Sequence, residues 1–347
     1  MSTPWQHVAA RTERVVVGPG TLSRLPGLCD ELGMTRVVVV TGRTLRERTP
    51  LPAAVEALLR DRHAATFAGI REHVPASVRD ELVGLLRERG ADGVVSLGGG
   101  SPIDGAKAAI HARDGGATPH IAVPTTLSAA EFTPTAGITD DATAVKGGVA
   151  APGLTPRTVV LDAEVTVHTP ERLWLSTGIR ALDHAVETVY APEGDRFAEV
   201  LALEAIRRLR VWLPRSQADP AELEARQQLQ VAAWWSILGL PSVTVAPSHP
   251  LGRLLGPLGG IGHGITSCVL LPAAIEWTAS RHPERVLPLC AAFGVAAPAE
   301  VGAACRALIA GLGLPVSLAE AGLDEAAIAR VRERVPPEWA PVLEASR

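Results

Sequence analysis

The chain has 347 residues, 47% apolar and 20% charged, with a formal net charge of −4. This composition excludes a disordered chain and a nucleic-acid-binding one, and the length predicts two domains rather than one core.

Arg14 to Val17 is a β-branched run closed by Gly18-Pro19-Gly20, and Leu22 to Leu32 has helical periodicity. Arg36 to Thr41 is a continuous apolar strand stopped by Gly42. Ala53 to Leu59 predicts a helix, Thr66 to Ile70 a strand, and Ser77 to Arg89 an amphipathic helix. Gly93 to Leu97 is a further buried strand, Pro102 to His111 a helix, and His120 to Val123 closes the series. Apolar strands alternating with helices predict a parallel sheet covered on both faces. This is the doubly wound, Rossmann-like α/β architecture, whose ligands sit at the carboxyl ends of the strands.

From Thr133 to about Asp162 the pattern is short and β-like, with Gly and Pro punctuation. Helical segments then run over Pro170–Tyr190, Phe197–Trp212, Ala221–Leu238, Ile265–Ser280, Pro283–Phe293, Pro298–Ala310 and Leu323–Arg332. A boundary is expected near residue 163, between an α/β domain of residues 1–162 and an all-helical domain of residues 163–347. A cleft between two such domains is the natural place for a cofactor and a substrate.

Cys29, Cys268, Cys290 and Cys305 have no C-x-x-C spacing, which argues against a zinc ribbon or a disulfide framework. The N-terminal stretch has no basic segment leading into an apolar run, and no apolar run reaches the roughly 18 residues of a membrane span. A soluble cytoplasmic protein without membrane or nucleic-acid partners is expected.

Of the 33 basic side chains only two are lysines, Lys107 and Lys146. Lys107 follows the turn Gly98-Gly99-Gly100-Ser101 and lies three residues after Asp104. A glycine-rich turn between strand and helix lets backbone approach a ligand and offers free N–H groups to a phosphate; it is also the composition of an ordinary tight turn. Asp104 and Lys107 share one helix face. Directly after the next strand, Thr125, Thr126 and Ser128 place hydroxyls that suit a phosphate or ribose, or a Ser/Thr turn. Among ten histidines three stand out: His184 on a predicted buried helix, and His249 and His263 in P-S-H-P-L-G and G-I-G-H-G.

Taken together, these motifs resemble the iron-containing alcohol dehydrogenase superfamily over nearly the whole chain. They are the glycine loop with Asp104 and Lys107, the P-T-T-x-x-x-x-E-x-T-P run at Pro124–Pro134, the G-x-x-A-x-x-H-A-x-E helix around His184, and the H-P-L-G and G-H-G segments. Within it, P-T-T-L-S-A-A-E-F-T-P, E-H-V-P at Glu72–Pro75 and P-R-T-V-V-L-D at Pro156–Asp162 resemble the maleylacetate reductase branch. The resemblance implies a dehydroquinate synthase-like fold and an NAD(P)-dependent oxidoreductase that commonly dimerises, with the N-terminal strand a candidate contact. It implies that Gly98, Gly99, Gly100 and Ser101 hold the pyrophosphate of NADH or NADPH, assisted by Thr125, Thr126 and Ser128. Asp104 would shape the loop, Lys107 would anchor its helix, and Lys146 would lie beside the nicotinamide ribose.

Metal-dependent members bind iron or zinc through one Asp and three His, and the three His match His184, His249 and His263. The Asp position is Arg180, whose guanidinium would oppose a bound cation. The resemblance with this substitution implies a metal-independent reductase of a small unsaturated or keto acid. Arg180 would orient an anionic substrate, His184 and His249 would flank an enolate, and His263 would stand near the nicotinamide. The alternatives are a metal-dependent alcohol dehydrogenase, with those three histidines as ligands, and a non-redox lyase or cyclase on the same scaffold. Where NAD-preferring members place an Asp after the second strand, this chain has Gly42, followed by Arg43 and Arg46, which favours NADPH or dual use.

Overall fold

The computed structural model describes residues 5–9, 11–71, 74–141, 146–245 and 247–347, Lys146 by its backbone alone. Glu72 and His73 of the E-H-V-P run lie outside the described residues. The chain forms two compact units. One runs to Thr169; the other begins at Pro170 and takes in residues 5–9 of the N-terminal segment.

In the first unit, strands β1 (Arg14–Val17), β2 (Val37–Gly42), β3 (His63–Ile70), β4 (Gly93–Gly98) and β5 (His120–Pro124) alternate with helices. The helices are α1 (Leu25–Glu31), α2 (Arg43–Arg48), α3 (Leu51–Leu59), α4 (Ala76–Glu88) and α5 (Gly100–Asp114). A two-stranded ribbon, β6 (Thr135–Thr139) with β7 (Lys146–Ala150), precedes β8 (Thr158–Leu161) and the short α6 (Ala163–Thr166). Six strands make one sheet in the order β1-β8-β5-β4-β2-β3, every neighbouring pair parallel. The V-V-V-V run of β2 shows why the sheet carries helices on both faces. Val37 and Val39 pack with Leu25, Leu28, Val55 and Leu59, while Val38 and Val40 pack with Val78, Leu82 and Ala106. A strand buried on two sides has to be apolar at every position.

Two expectations change. The strand His120–Val123 does not close the series, because β8 inserts between β1 and β5. Four residues, T-V-V-L, are too few to show a period, yet all four are buried. The break between units falls at Thr169 and Pro170 rather than near residue 163. Asp162 explains this: its carboxylate accepts the N–H groups of Gly20, Leu22 and Glu164, at 3.0, 2.8 and 2.9 Å, tying α6 to the first unit.

Lys107 is fully buried, so its pairing with Asp104 is not a surface ion pair. Its ammonium donates to the carbonyls of Ala130 and Thr135, both at 2.6 Å, and reaches the carbonyl and hydroxyl of Thr133 at 3.2 Å. Asp104 lies 3.2 Å away and accepts the N–H of Gly137 through its other oxygen. Helix α5 is thereby fastened to the segment that leads from the Thr-Thr loop into β6. A compact ammonium can share its protons among converging oxygens; a planar guanidinium cannot.

Inside this same segment Glu131 is 2% exposed, and its Oε2 has no hydrogen-bond partner among the described residues. Burial pushes its pKa up to about 7.

The second unit is helical: α7 (Glu171–Tyr190), α8 (Arg196–Ala218), α9 (Leu223–Ile237), α10 (Ser248–Gly259), α11 (His263–Arg281), α12 (Pro283–Phe293), α13 (Pro298–Gly311), α14 (Glu325–Arg332) and α15 (Ala340–Ala345). His7 and Val8 join it through Asp195 and Ser242, at 2.6 and 2.7 Å. Helix α10 has no counterpart in the sequence reading, because S-H-P-L-G-R-L-L-G-P-L-G is full of helix-disfavouring residues. Gly252 sits on its inner face, where a Cβ would stand 3.0 Å from the Thr266 hydroxyl of α11. Leu251 and Leu255 seal the same face into a core with Val269, Leu270 and Ile328. All four cysteines are free and buried. Among the described residues no single helix is long and apolar enough to cross a membrane.

Glu131 generates a pH-dependent expectation. Its folded-state pKa lies above the unfolded value of 4.5, so its contribution to stability is full below pH 4.5 and is lost as pH rises through 7. Glu131→Gln should match the wild type in urea unfolding near pH 4.5. It should then gain over the wild type up to pH 8 by on the order of 1–3 kcal/mol. A gap independent of pH would remove the buried carboxyl from this account.

Candidate functional site

Strands β4 and β5 are neighbours with Gly98 opposite Pro124, so the loops that follow them start side by side. The Thr125 N–H donates to the Gly98 carbonyl at 2.9 Å. Helix α5 begins at Gly100, inside the glycine triplet, with Gly99 as its N-cap and no side chain capping it. Gly98 has φ +145°, and a Cβ on Gly99 would stand 2.9 Å from a Thr126 carbon. The glycines therefore bring backbone up against Thr126 as well as exposing a helix N-terminus. The Thr126 hydroxyl donates to that of Ser128 at 3.3 Å, and Ser101 lies in the first turn of α5. Gly42 is the N-cap of α2 at the end of β2. Arg43 is exposed and pairs with Glu47 at 2.9 Å, while Arg46 is matched to Glu56. Lys146 opens β7, and its side chain lies outside the described residues.

In the helical unit, α7 carries Arg180, Asp183, His184 and Glu187 within two turns. Arg180 is 14% exposed; it donates to the Ser267 hydroxyl at 3.1 Å and stands 3.5 Å from Asp183. Asp183 is wholly buried, and its Oδ2 accepts the hydroxyls of Ser248 and Ser267 at 2.9 and 2.6 Å. Glu187 is wholly buried too. Its Oε1 accepts the N–H groups of Ser248 and His249 at 2.8 and 3.3 Å. Its Oε2 lies 2.6 Å from Nδ1 of His249, close but not aligned as a full hydrogen bond.

The structure brings His184 and His249 together, ring centroids 5.0 Å apart. His263 heads α11 half-buried, its ring against Gly256 of α10. The next residue, Gly264, lets α11 touch α7: a Cβ there would come within 2.8 Å of the Ser176 backbone.

Burial sets the charge states. It holds His249 down to about 3 and His184 well below its ordinary value, Arg180 adding to both effects. It raises Asp183, and raises Glu187 to about 7. Both imidazoles are thus neutral at pH 7, beside a guanidinium and two buried carboxyls.

Among the described residues one group of three donors lies close enough for a cation: Asp183, Glu187 and His249, within 4.8 Å of one another. It is not the trio of histidines. Asp183 and Glu187 escaped the sequence reading although A-L-D-H-A-V-E contains them. The available signal was their i, i+4 spacing on a helix whose neighbours are apolar, where a carboxylate needs partners.

Known proteins share this chain's sequence pattern and its fold. The pattern described as iron-containing alcohol dehydrogenase matches residues 12–163, and the Fe-containing alcohol dehydrogenase family C-terminal pattern matches residues 174–336. A maleylacetate reductase from Pseudomonas sp. strain P51 is 34% identical over 325 residues, covering 93% of this chain and 89% of the relative. The crystal structure of maleylacetate reductase from Agrobacterium tumefaciens superposes with a TM-score of 0.89 at 29% identity, over 99% of this chain and 97% of that one. That of the enzyme from Rhizobium sp. strain MTP-10005 gives 0.88 at 29% identity, with the same coverage. The chain belongs to the iron-containing alcohol dehydrogenase family, in its maleylacetate reductase branch, and is an oxidoreductase.

Proposed function

We propose that the protein is a metal-independent, NAD(P)H-dependent reductase of a small unsaturated or keto acid, of the kind named by its maleylacetate reductase relatives. Arg180 carries this reading: a largely buried guanidinium one turn before His184, where the resemblance puts a metal-binding Asp. Iron is implied by the family's description, and the one-Asp, three-His set implied by the resemblance is broken here, with Arg180 at the Asp position. A guanidinium has no lone pair to give, and its charge near a divalent cation costs on the order of several kcal/mol.

The α/β unit suits a dinucleotide. The uncapped N-terminus of α5 beside the Thr-Thr loop is a ready phosphate site. Gly98, Gly99, Gly100 and Ser101 would hold the pyrophosphate with Thr125, Thr126 and Ser128, and Gly42 would lie by the adenosine ribose. Asp104 would keep the loop in shape, and Lys146 would lie by the nicotinamide ribose. When bound, the nicotinamide supplies a hydride. Arg43 and Arg46, both exposed and paired with Glu47 and Glu56, are the cations that could turn to a 2′-phosphate; NADH and NADPH both stay in the reading.

Adding hydride to the β-carbon of a C=C conjugated to a carbonyl leaves an enolate, which then takes a proton at the α-carbon. Arg180 donates to a substrate carboxylate or to the enolate oxygen, where a preformed donor is most effective. The neutral pair His184 and His249 flanks the enolate and supplies the proton, and His263 stands near the nicotinamide. An anionic small molecule is the partner, and a homodimer contacting through the edge strand β1 is the assembly. One observation favours a second reading, a metal-dependent alcohol dehydrogenase: the donor group Asp183, Glu187 and His249.

Two experiments test the proposal. Chelator-treated protein, verified metal-free, should quench and shift NADH or NADPH fluorescence on binding and should reduce maleylacetate; activity restored only by added metal would favour the second reading. Arg180→Asp should lower kcat/KM by about 10²–10³-fold, the scale of losing a preorganised oxyanion donor. Unchanged kinetics would remove Arg180 from the chemistry.

A further inference from the structure

We infer that Arg253 is a specificity-determining residue that holds a second carboxylate of the substrate, so that with Arg180 it selects dianions over monoanions. The inference deepens the reductase reading and rests on its placing the substrate at the pair His184 and His249.

Arg253 stands one helical turn after His249 on α10 and three residues before Gly256, against which the ring of His263 rests. At about 3.6 residues per turn, positions 249, 253 and 256 fall on one face of the helix. Leu251, Leu254, Leu255 and Leu258 take the opposite face into the core. The side of α10 that carries His249 and meets His263 is therefore also the side that carries Arg253.

Helix α7 supplies the counterpart. Arg180 stands one turn before His184, and the rings of His184 and His249 meet with centroids 5.0 Å apart. The charge of Arg253 reaches this group. Burial holds the Arg180 guanidinium below its ordinary value, Asp183 and Glu187 pull against that, and Arg253 adds to it. At His249, burial and Arg180 act most strongly, and Arg253 acts in the same direction.

The two arginines differ in what answers them. Arg180 has Asp183 at 3.5 Å and the Ser267 hydroxyl at 3.1 Å. Arg253 is exposed and, among the described residues, has neither an ion-pair nor a hydrogen-bond partner. The 12 residues of α10 include no acid to match it. Two permanent charges of one sign within reach of each other repel, and an anion placed between them removes the cost. A guanidinium fork is shaped for a carboxylate. One carboxylate leaves a cation of this pair unmatched; a dicarboxylate answers both. Maleylacetate, with a carboxylate at each end of its conjugated chain, is of that class.

The test uses two inert probes, adipate with two carboxylates and hexanoate with one, titrated calorimetrically into the protein with and without NADH. Wild type should bind adipate about 10-fold more tightly than hexanoate, the scale of one charge-assisted hydrogen-bonded contact. Arg253→Gln should abolish that preference by weakening adipate alone, with an unchanged circular-dichroism spectrum, and Arg253→Lys should keep part of it. With maleylacetate and NADH, Arg253→Gln should raise KM by about 10-fold and change kcat by less, the pattern of lost uniform binding. Equal binding of the two probes by wild type, binding of neither, or a preference that survives Arg253→Gln overturns the inference. An adipate preference that depends on Arg253, in a protein that does not reduce maleylacetate, supports the carboxylate site and overturns the reductase reading instead.

Discussion

Asp183 and Glu187 put two carboxyl groups on α7 where there is no water, and the helical unit is arranged to answer them. A buried carboxylate without partners is expensive enough that a fold either neutralises it or surrounds it with donors. Here the donors come from three helices at once: Arg180 on α7 itself, Ser248 and His249 at the start of α10, and Ser267 on α11. The bonds to Asp183 Oδ2 and Glu187 Oε1 fix how these helices meet. The packing that sets the backbone therefore also sets the histidine pair and the guanidinium.

The α/β unit uses one buried cation in the same way. Lys107 draws together the carbonyls of Ala130 and Thr135, and Asp104 completes the cluster by taking the N–H of Gly137. The glycine loop lies at one end of α5 and the fastened segment runs along its side. The close fit of Gly99 against Thr126 thus belongs to a loop already held in place. In both units polar groups far from water act as fasteners, and the groups suited to bind ligands are neighbours of the fasteners.

The sheet was legible in the sequence because a strand buried on two faces leaves a continuous apolar run, as β2 and β4 do. Helices with a regular apolar stripe were legible for a related reason. Helix α10 was not, since the glycines that allow its close approach to α11 are locally indistinguishable from a loop. Strand β8 was too short to show a period and is defined by its two neighbours in the sheet. At the site, Arg180 stood out because it departs from the expected acid, and the histidines because of their setting. Asp183 and Glu187 did not: a carboxylate in a helix normally reads as a solvated face. Only the three-dimensional neighbours reveal that these two are enclosed, and that His249 meets both carboxyls while His263 lies against Gly256.

The shape of the Lys107 cluster also bears on how this gene can change. A single base substitution converts a lysine codon to an arginine codon, and arginine is the residue this chain carries at 31 of its 33 Lys and Arg positions. At position 107 the step is blocked by geometry: the planar head of arginine is too large for a cavity with no exposed surface and cannot bring its donors to oxygens that converge on one atom. Position 107 is thus one at which the chemically nearest replacement is excluded by the shape of the cavity.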